Sequence, residues 1–213
     1  MLCNKTMSRG VMVLSMLFSV IVLTMNVTYA EESAEPQILV KKSTEKMLRA
    51  LKDNEQQLAD NPTFIYSLVQ DILLPNFDFG KMAKLALGRN WRKANTKQRE
   101  RFTDEFRLLL VRTYSTAMLE YTDQKIDFLP FRGNLEKKRV KVKMKITQSS
   151  GPAIPMDLSL YLNKEHKWKV YDVKIDGISL VTNYRSTFTS KIRNKGMDKL
   201  IEDLASRNKK VKV

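Results

Sequence analysis

The chain is poor in the residues from which most active centres are assembled. One cysteine and one histidine occur in 213 residues. Cys3 falls in a stretch that reads as a removable leader, so the mature chain would hold neither a disulfide nor a thiol nucleophile. His166 sits alone in the polar turn "NKEHK", which leaves a metal site built on imidazole or thiolate almost without ligands, and no metal is expected. The seven glycines form neither G-x-G-x-x-G nor a phosphate-cradling loop ending in Gly-Lys-Ser or Gly-Lys-Thr, and no serine lies in G-x-S-x-G. Acidic side chains are also scarce, 23 against 38 Lys and Arg, for a net charge of +15. Such a surplus suits anionic partners, or simply keeps the protein soluble.

What is present begins with Lys5 and Arg9, an apolar run from Val11 to Val27, and "TYA" before Glu31 and Glu32. That order predicts a signal peptide over residues 1–30, cleaved after Ala30. The apolar centre is long enough that retention as an anchor is the alternative, although Ser15, Ser19, Thr24 and Asn26 dilute it. An exported chain rarely meets nucleic acid, so phospholipid head groups and acidic protein surfaces remain as anionic partners. Residues 31–213 are long enough for a single domain with a real core, closed by a loose basic tail at 209–213.

Helical spacing runs from Gln37 to Ala59 as a surface helix, from after Pro62 to near Pro75, and from Asp78 to Leu87, where Gly88 suits a C-cap. The strongest helix follows Thr96 and carries Phe102, Phe106, Leu109, Leu110, Tyr114 and Met118 on one side. After Tyr121 the period changes to two. "KIDFLPF" alternates weakly, "VKVKMKI" and "MDLSLYL" without fault, and Trp168 to Asp176 supplies a further strand. Two helical segments separated by Gly196 finish the chain. The expected class is α+β, a curved antiparallel sheet of about four strands with helices over its apolar face.

Asp172 and Asp176 in "YDVKIDGISLV" invite reading as an acid/base pair, since residues four apart on a strand share a face. Lys174 lies between them and holds both ionised, the opposite of the unequal pKa values such a pair needs. Asp176 with Gly177 reads instead as a turn. No catalytic residue is expected. Periodicity alone reads the apolar rows as an ordinary closed core, because binary pattern cannot reveal a hole.

"LGRNWRKA", "LLVRTY", "WKVYDV" running into "DGISLV", and "RNKGMDKL" occur in an order and spacing that resembles the MlaC family of periplasmic phospholipid-binding proteins, also called toluene-tolerance auxiliary proteins. The likeness spans about Phe64 to Leu204. It implies a periplasmic carrier that holds a phospholipid by its tails in an apolar cavity between helices and sheet, without a cofactor. It further implies exchange of that lipid between an outer-membrane lipoprotein and porin complex and an inner-membrane ABC transporter with an MCE-domain subunit, which maintains outer-membrane lipid asymmetry.

Alternation and resemblance together nominate Phe106, Leu110, Tyr114 and Met118 of the long helix as cavity wall, with Val142, Met144, Leu158, Leu160, Tyr171, Val173 and Ile175 of the sheet. Ile178 is placed at the mouth, and Arg89, Arg92 and Arg112 are candidates for head-group or partner contact. Leu160→Glu and Ile178→Glu are expected to impair lipid carriage. Two rivals remain open: an enzyme acting on a hydrophobic substrate in the same cavity, with Asp127 or Asp157 as the acid, and an envelope adaptor that transports nothing.

Overall fold

The computed structural model describes residues 35–119, 125–147 and 151–210. The leader read over 1–30 and the end of the tail, 211–213, lie outside these residues. Among them are eight α-helices and one open five-stranded sheet in which every neighbouring pair is antiparallel and the order follows the chain.

The sheet comprises β1 (Lys125–Phe128), β2 (Arg139–Thr147), β3 (Ile154–Leu162), β4 (Trp168–Ile175) and the two-residue β5 (Ile178–Ser179). Five strands replace the expected four because Asp176 and Gly177, at φ 49° and 77°, turn the chain into the short β5. Positive φ at both central residues is the geometry of a tight hairpin turn, and Asp-Gly is suited to it. In β2 the alternation is carried through: Val140, Val142 and Met144 are buried, while Arg139, Lys141, Lys143 and Lys145 are exposed. In β4 it is not. Ser159 pairs with Asp172 but Leu160 with Val170, so Tyr171 is the extra residue of a β-bulge.

The helices are α1 (Glu35–Asp53), α2 (Glu55–Asp60), α3 (Ile65–Ile72), α4 (Phe79–Leu87), α5 (Asn90–Lys93), α6 (Thr96–Ser115), α7 (Leu180–Lys195) and α8 (Met197–Lys210). The single helix read from Gln37 to Ala59 is two, divided at Asn54. The N-cap of α6 is Asn95 rather than Thr96. Its side chain accepts from the Gln98 amide at 2.8 Å while Gln98 Oε1 accepts from the Asn95 amide at 3.1 Å, a reciprocal capping box. α8 continues to Lys210, into the tail read as loose. Buried Asn208 explains this, since its side-chain amide donates to Glu105 of α6, to the main-chain carbonyl at 3.0 Å and to the carboxylate at 2.6 Å.

The main core lies between one face of the sheet and helices α4, α6, α7 and α8. At its centre Phe102 and Phe106 stack at 5.6 Å, and Phe188 of α7 meets both edge-on. A smaller core joins Met47 of α1 to Leu58 of α2 and to Ile65, Val69 and Ile72 of α3. α1 therefore joins the main core at Leu39 and Val40 but leans on α3 along its second half, and the end of the sheet beside it stays incompletely filled.

Candidate functional site: an apolar cavity beneath the sheet

Between α1, the C-terminal end of α6 and the sheet lies a cavity of about 420 Å³. From the sheet it is walled by Ile126 of β1, Met144 and Ile146 of β2, Ile154, Met156 and Leu158 of β3, and Val170, Val173 and Ile175 of β4. The register explains the grouping. Met144 pairs with Met156, Ile146 with Ile154 and Met156 with Ile175, so paired side chains rise on one face. Opposite stand Val40, Ser43, Thr44, Met47, Leu48 and Leu51 of α1, one helical face at three- and four-residue spacing. Tyr114, Ala117 and Met118 close the α6 side, and Leu73, Asn76 and Phe77 the remaining edge.

Among the described residues the lining contains no charged side chain. Its polar atoms are mostly committed elsewhere. Ser43 donates to the Leu39 carbonyl at 2.8 Å, and the Asn76 amide donates to Ser43 Oγ at 2.8 Å, tying the segment after α3 to α1. Tyr114 is pushed up to about 12, first by burial and then by Tyr184, with which its hydroxyl shares a hydrogen bond, so it stays neutral. Such a wall offers apolar area and a few neutral dipoles.

Of the residues nominated from sequence, the structure brings Tyr114, Met118, Met144, Leu158, Val173 and Ile175 to this cavity. Phe106, Leu110, Val142 and Leu160 lie in the closed core instead, Phe106 and Leu160 with no exposure at all. Periodicity identifies the apolar face of each element but not where along that face the covering helices stop. Leu160→Glu is therefore a core disruption rather than a test of the cavity.

Tyr171 is off the cavity altogether. The bulge moves Trp168 and Val170 into the inward set with Val173 and Ile175, and Tyr171 meets the ring of Tyr161 at 5.9 Å on the other side. There Lys81 sits 3.6 Å above the Tyr161 ring, and the Tyr161 hydroxyl donates to Asp78, the N-cap of α4. Burial first, and then Arg139, lowers the Lys81 pKa, while burial and Asp78 push Tyr161 up to about 12. This cluster clamps α4 to the sheet.

Ile178 pairs with Ile175 and so stands beside the rim, 60% exposed, without lining the cavity. Asp172 accepts from Ser179 Oγ at 2.7 Å and from the Val181 amide at 3.2 Å, bracing the start of α7. Asp127 pairs with Lys125 at 2.9 Å, and neither it nor Asp157 reaches the cavity. Arg112 lies over the Tyr66 ring at 5.8 Å. Arg89 and Arg92 border a separate recess at α5. Among the described residues no group of acidic, His or Cys side chains could hold a metal ion, and no helix is long and apolar enough to cross a membrane.

Sequence reasoning missed the α1 wall, because Ser43 and Thr44 interrupt its stripe and make it look like a surface helix. It also missed Ile126, Ile146, Ile154, Met156 and Val170, although for Ile146 and Met156 the alternation was in plain view.

Comparison with known proteins places this geometry. The MlaC protein family model matches residues 41–206. The toluene tolerance protein ttg2D of Pseudomonas putida is 32% identical over 180 residues, 83% of each chain. The intermembrane phospholipid transport system binding protein MlaC of Haemophilus influenzae is 25% identical over 171 residues, 78% of each chain. A phospholipid-binding protein from Ralstonia solanacearum, solved in complex with a phospholipid, superposes with a TM-score of 0.76 at 28% identity, covering 82% of this chain and 97% of its own. On the strength of the matched span and these relatives, the chain belongs to the MlaC family.

Proposed function

We propose that this protein is a phospholipid carrier of the periplasm, delivered there by the leader at residues 1–30. It shuttles phospholipid between an outer-membrane lipoprotein and porin complex and an inner-membrane ABC transporter with an MCE-domain subunit, which preserves outer-membrane lipid asymmetry. The observation that carries this reading is the apolar wall of the cavity, without a charged side chain among the described residues. The acyl tails of one phospholipid hold on the order of 30 methylenes, and at about 0.8 kcal/mol each their exposure to water costs more than roughly 20 kcal/mol. A soluble carrier needs a dry apolar compartment to lower that cost, and it needs no reacting group.

In this reading Tyr114, Met118, Met144, Leu158, Val173 and Ile175 contact the tails, joined by Met47, Ile126 and Met156. The neutral Tyr114 hydroxyl, held by Tyr184, adds polarity at the lining without adding charge. The relatives named for phospholipid binding or transport support the cargo class.

The test is native mass spectrometry of protein purified without detergent, with extraction and identification of the bound lipid. Phospholipid at stoichiometric amounts, transferable to acceptor vesicles, is the expected result. Folded, lipid-free protein that neither takes up nor releases phospholipid overturns the reading.

A further inference from the structure

A second recess, of about 690 Å³, opens where the end of α4, the short α5 and the middle of α7 meet. Among the described residues it shares no lining residue with the apolar cavity. Lys84, Arg89, Arg92, Lys93 and Arg185 border it, and among the described residues no carboxylate does. None of these five cations is ion-paired among the described residues, although the surface has acids enough to pair other lysines and arginines.

The recess is also shaped. Gly88 turns the chain out of α4 at φ 55°, a conformation that favours glycine, with the Arg185 stem 3.4 Å from where a Cβ would stand. Arg185 Nε donates to the Leu85 carbonyl at 2.7 Å, which fixes the guanidinium over the floor. Trp91 is half-buried in the wall. Arg99 packs 5.4 Å from its ring and donates from Nε to its carbonyl at 3.0 Å, holding the indole in place. A held tryptophan and a held arginine within an apolar hollow, rimmed by cations, has the composition of a protein-docking hot spot. A concave hollow cannot lie flush on a flat bilayer.

We infer that this recess docks an acidic segment of a partner protein, one that inserts an apolar side chain against Trp91 while its carboxylates meet Arg89, Arg92 and Arg185. Because the recess and the cavity are separate, the partner binds the loaded protein and leaves the cavity contents in place. The inference does not depend on what the cavity holds.

The probe is a glutamate-rich peptide with a central leucine, titrated into the purified protein at low salt and followed by fluorescence anisotropy and amide chemical-shift mapping. Shifts confined to residues 84–93 and 185–189 are expected. Arg89→Glu combined with Arg92→Glu should weaken binding at least about tenfold, with Trp91→Ala also weakening it. The same charge change on the outer face of β2, Lys141→Glu with Lys143→Glu, should alter it by less than about threefold. Circular dichroism and bound-lipid content, unchanged in both double variants, show that fold and cavity are intact. Equal losses in the two double variants, shifts spread over the basic surface, or no binding at low salt each overturn the inference. So does binding of anionic phosphatidylglycerol vesicles that Arg89→Glu with Arg92→Glu abolishes while the peptide does not bind, which would make the recess a membrane contact.

Discussion

Met156 presents its side chain to the cavity from a half-buried position, so Met156→Glu sets a charge against apolar walls without opening a packed core. Phospholipid recovered per folded protein should fall at least about tenfold, read by lipid extraction alongside circular dichroism. Leu160 gives the contrast. It is fully buried in the closed core, and Leu160→Ala should cost about 2–5 kcal/mol in urea unfolding while the folded fraction keeps its lipid. Tyr114 carries a pH signature. Its pKa is raised to about 12 in the fold, against 10.0 ordinarily, so between these values the unfolded chain loses the proton that the folded chain keeps. Stability is therefore at its full value below pH 10 and declines as pH rises toward 12. Tyr161, raised likewise, contributes to the same decline. Tyr114→Phe should shallow it, measured as the urea midpoint on either side of pH 10.

At the scale of elements, α6 supplies both the aromatic centre of the core and one side of the cavity, and its start is fixed by the Asn95 and Gln98 exchange. Asn95→Ala should lower stability by about 1 kcal/mol with lipid content unchanged, since the cap lies at the helix end remote from Tyr114 and Met118. Elements whose residues obey one period were legible from sequence: β2 to within a residue at each end, α6 at its start though its last turn, Thr116–Met118, tightens into a 3-10 helix, and the Asp-Gly turn that ends β4. β4 itself was not, because one inserted residue reverses the facing of everything before it, and nothing in "WKVYDVKI" marks Tyr171 as the insertion. α1 was legible as a helix but not as a wall. Its inner face mixes Ser43 and Thr44 with Met47 and Leu48, and only the hydrogen bond from Asn76 shows that this mixed face turns inward.

Across the whole molecule, the α+β class followed from the change of period near Tyr121, yet the hollow did not, because a row of alternating apolar residues looks the same whether a helix covers it or not. The difference arises from α1 packing on α3 through Met47, Ile65 and Val69, a contact that the period of neither helix reveals. Charge is distributed with equal asymmetry: the molecule is strongly basic, and among the described residues its second recess collects five cations while its cavity wall has none. Uncharged walls have no field for dissolved ions to screen, whereas contacts between exposed charges lose reach as ionic strength rises. Brine and soap therefore act on different halves of the molecule. A strong salt rinse should strip away an acidic partner and leave the cargo aboard, while a mild detergent should compete for the hollow and leave the partner attached.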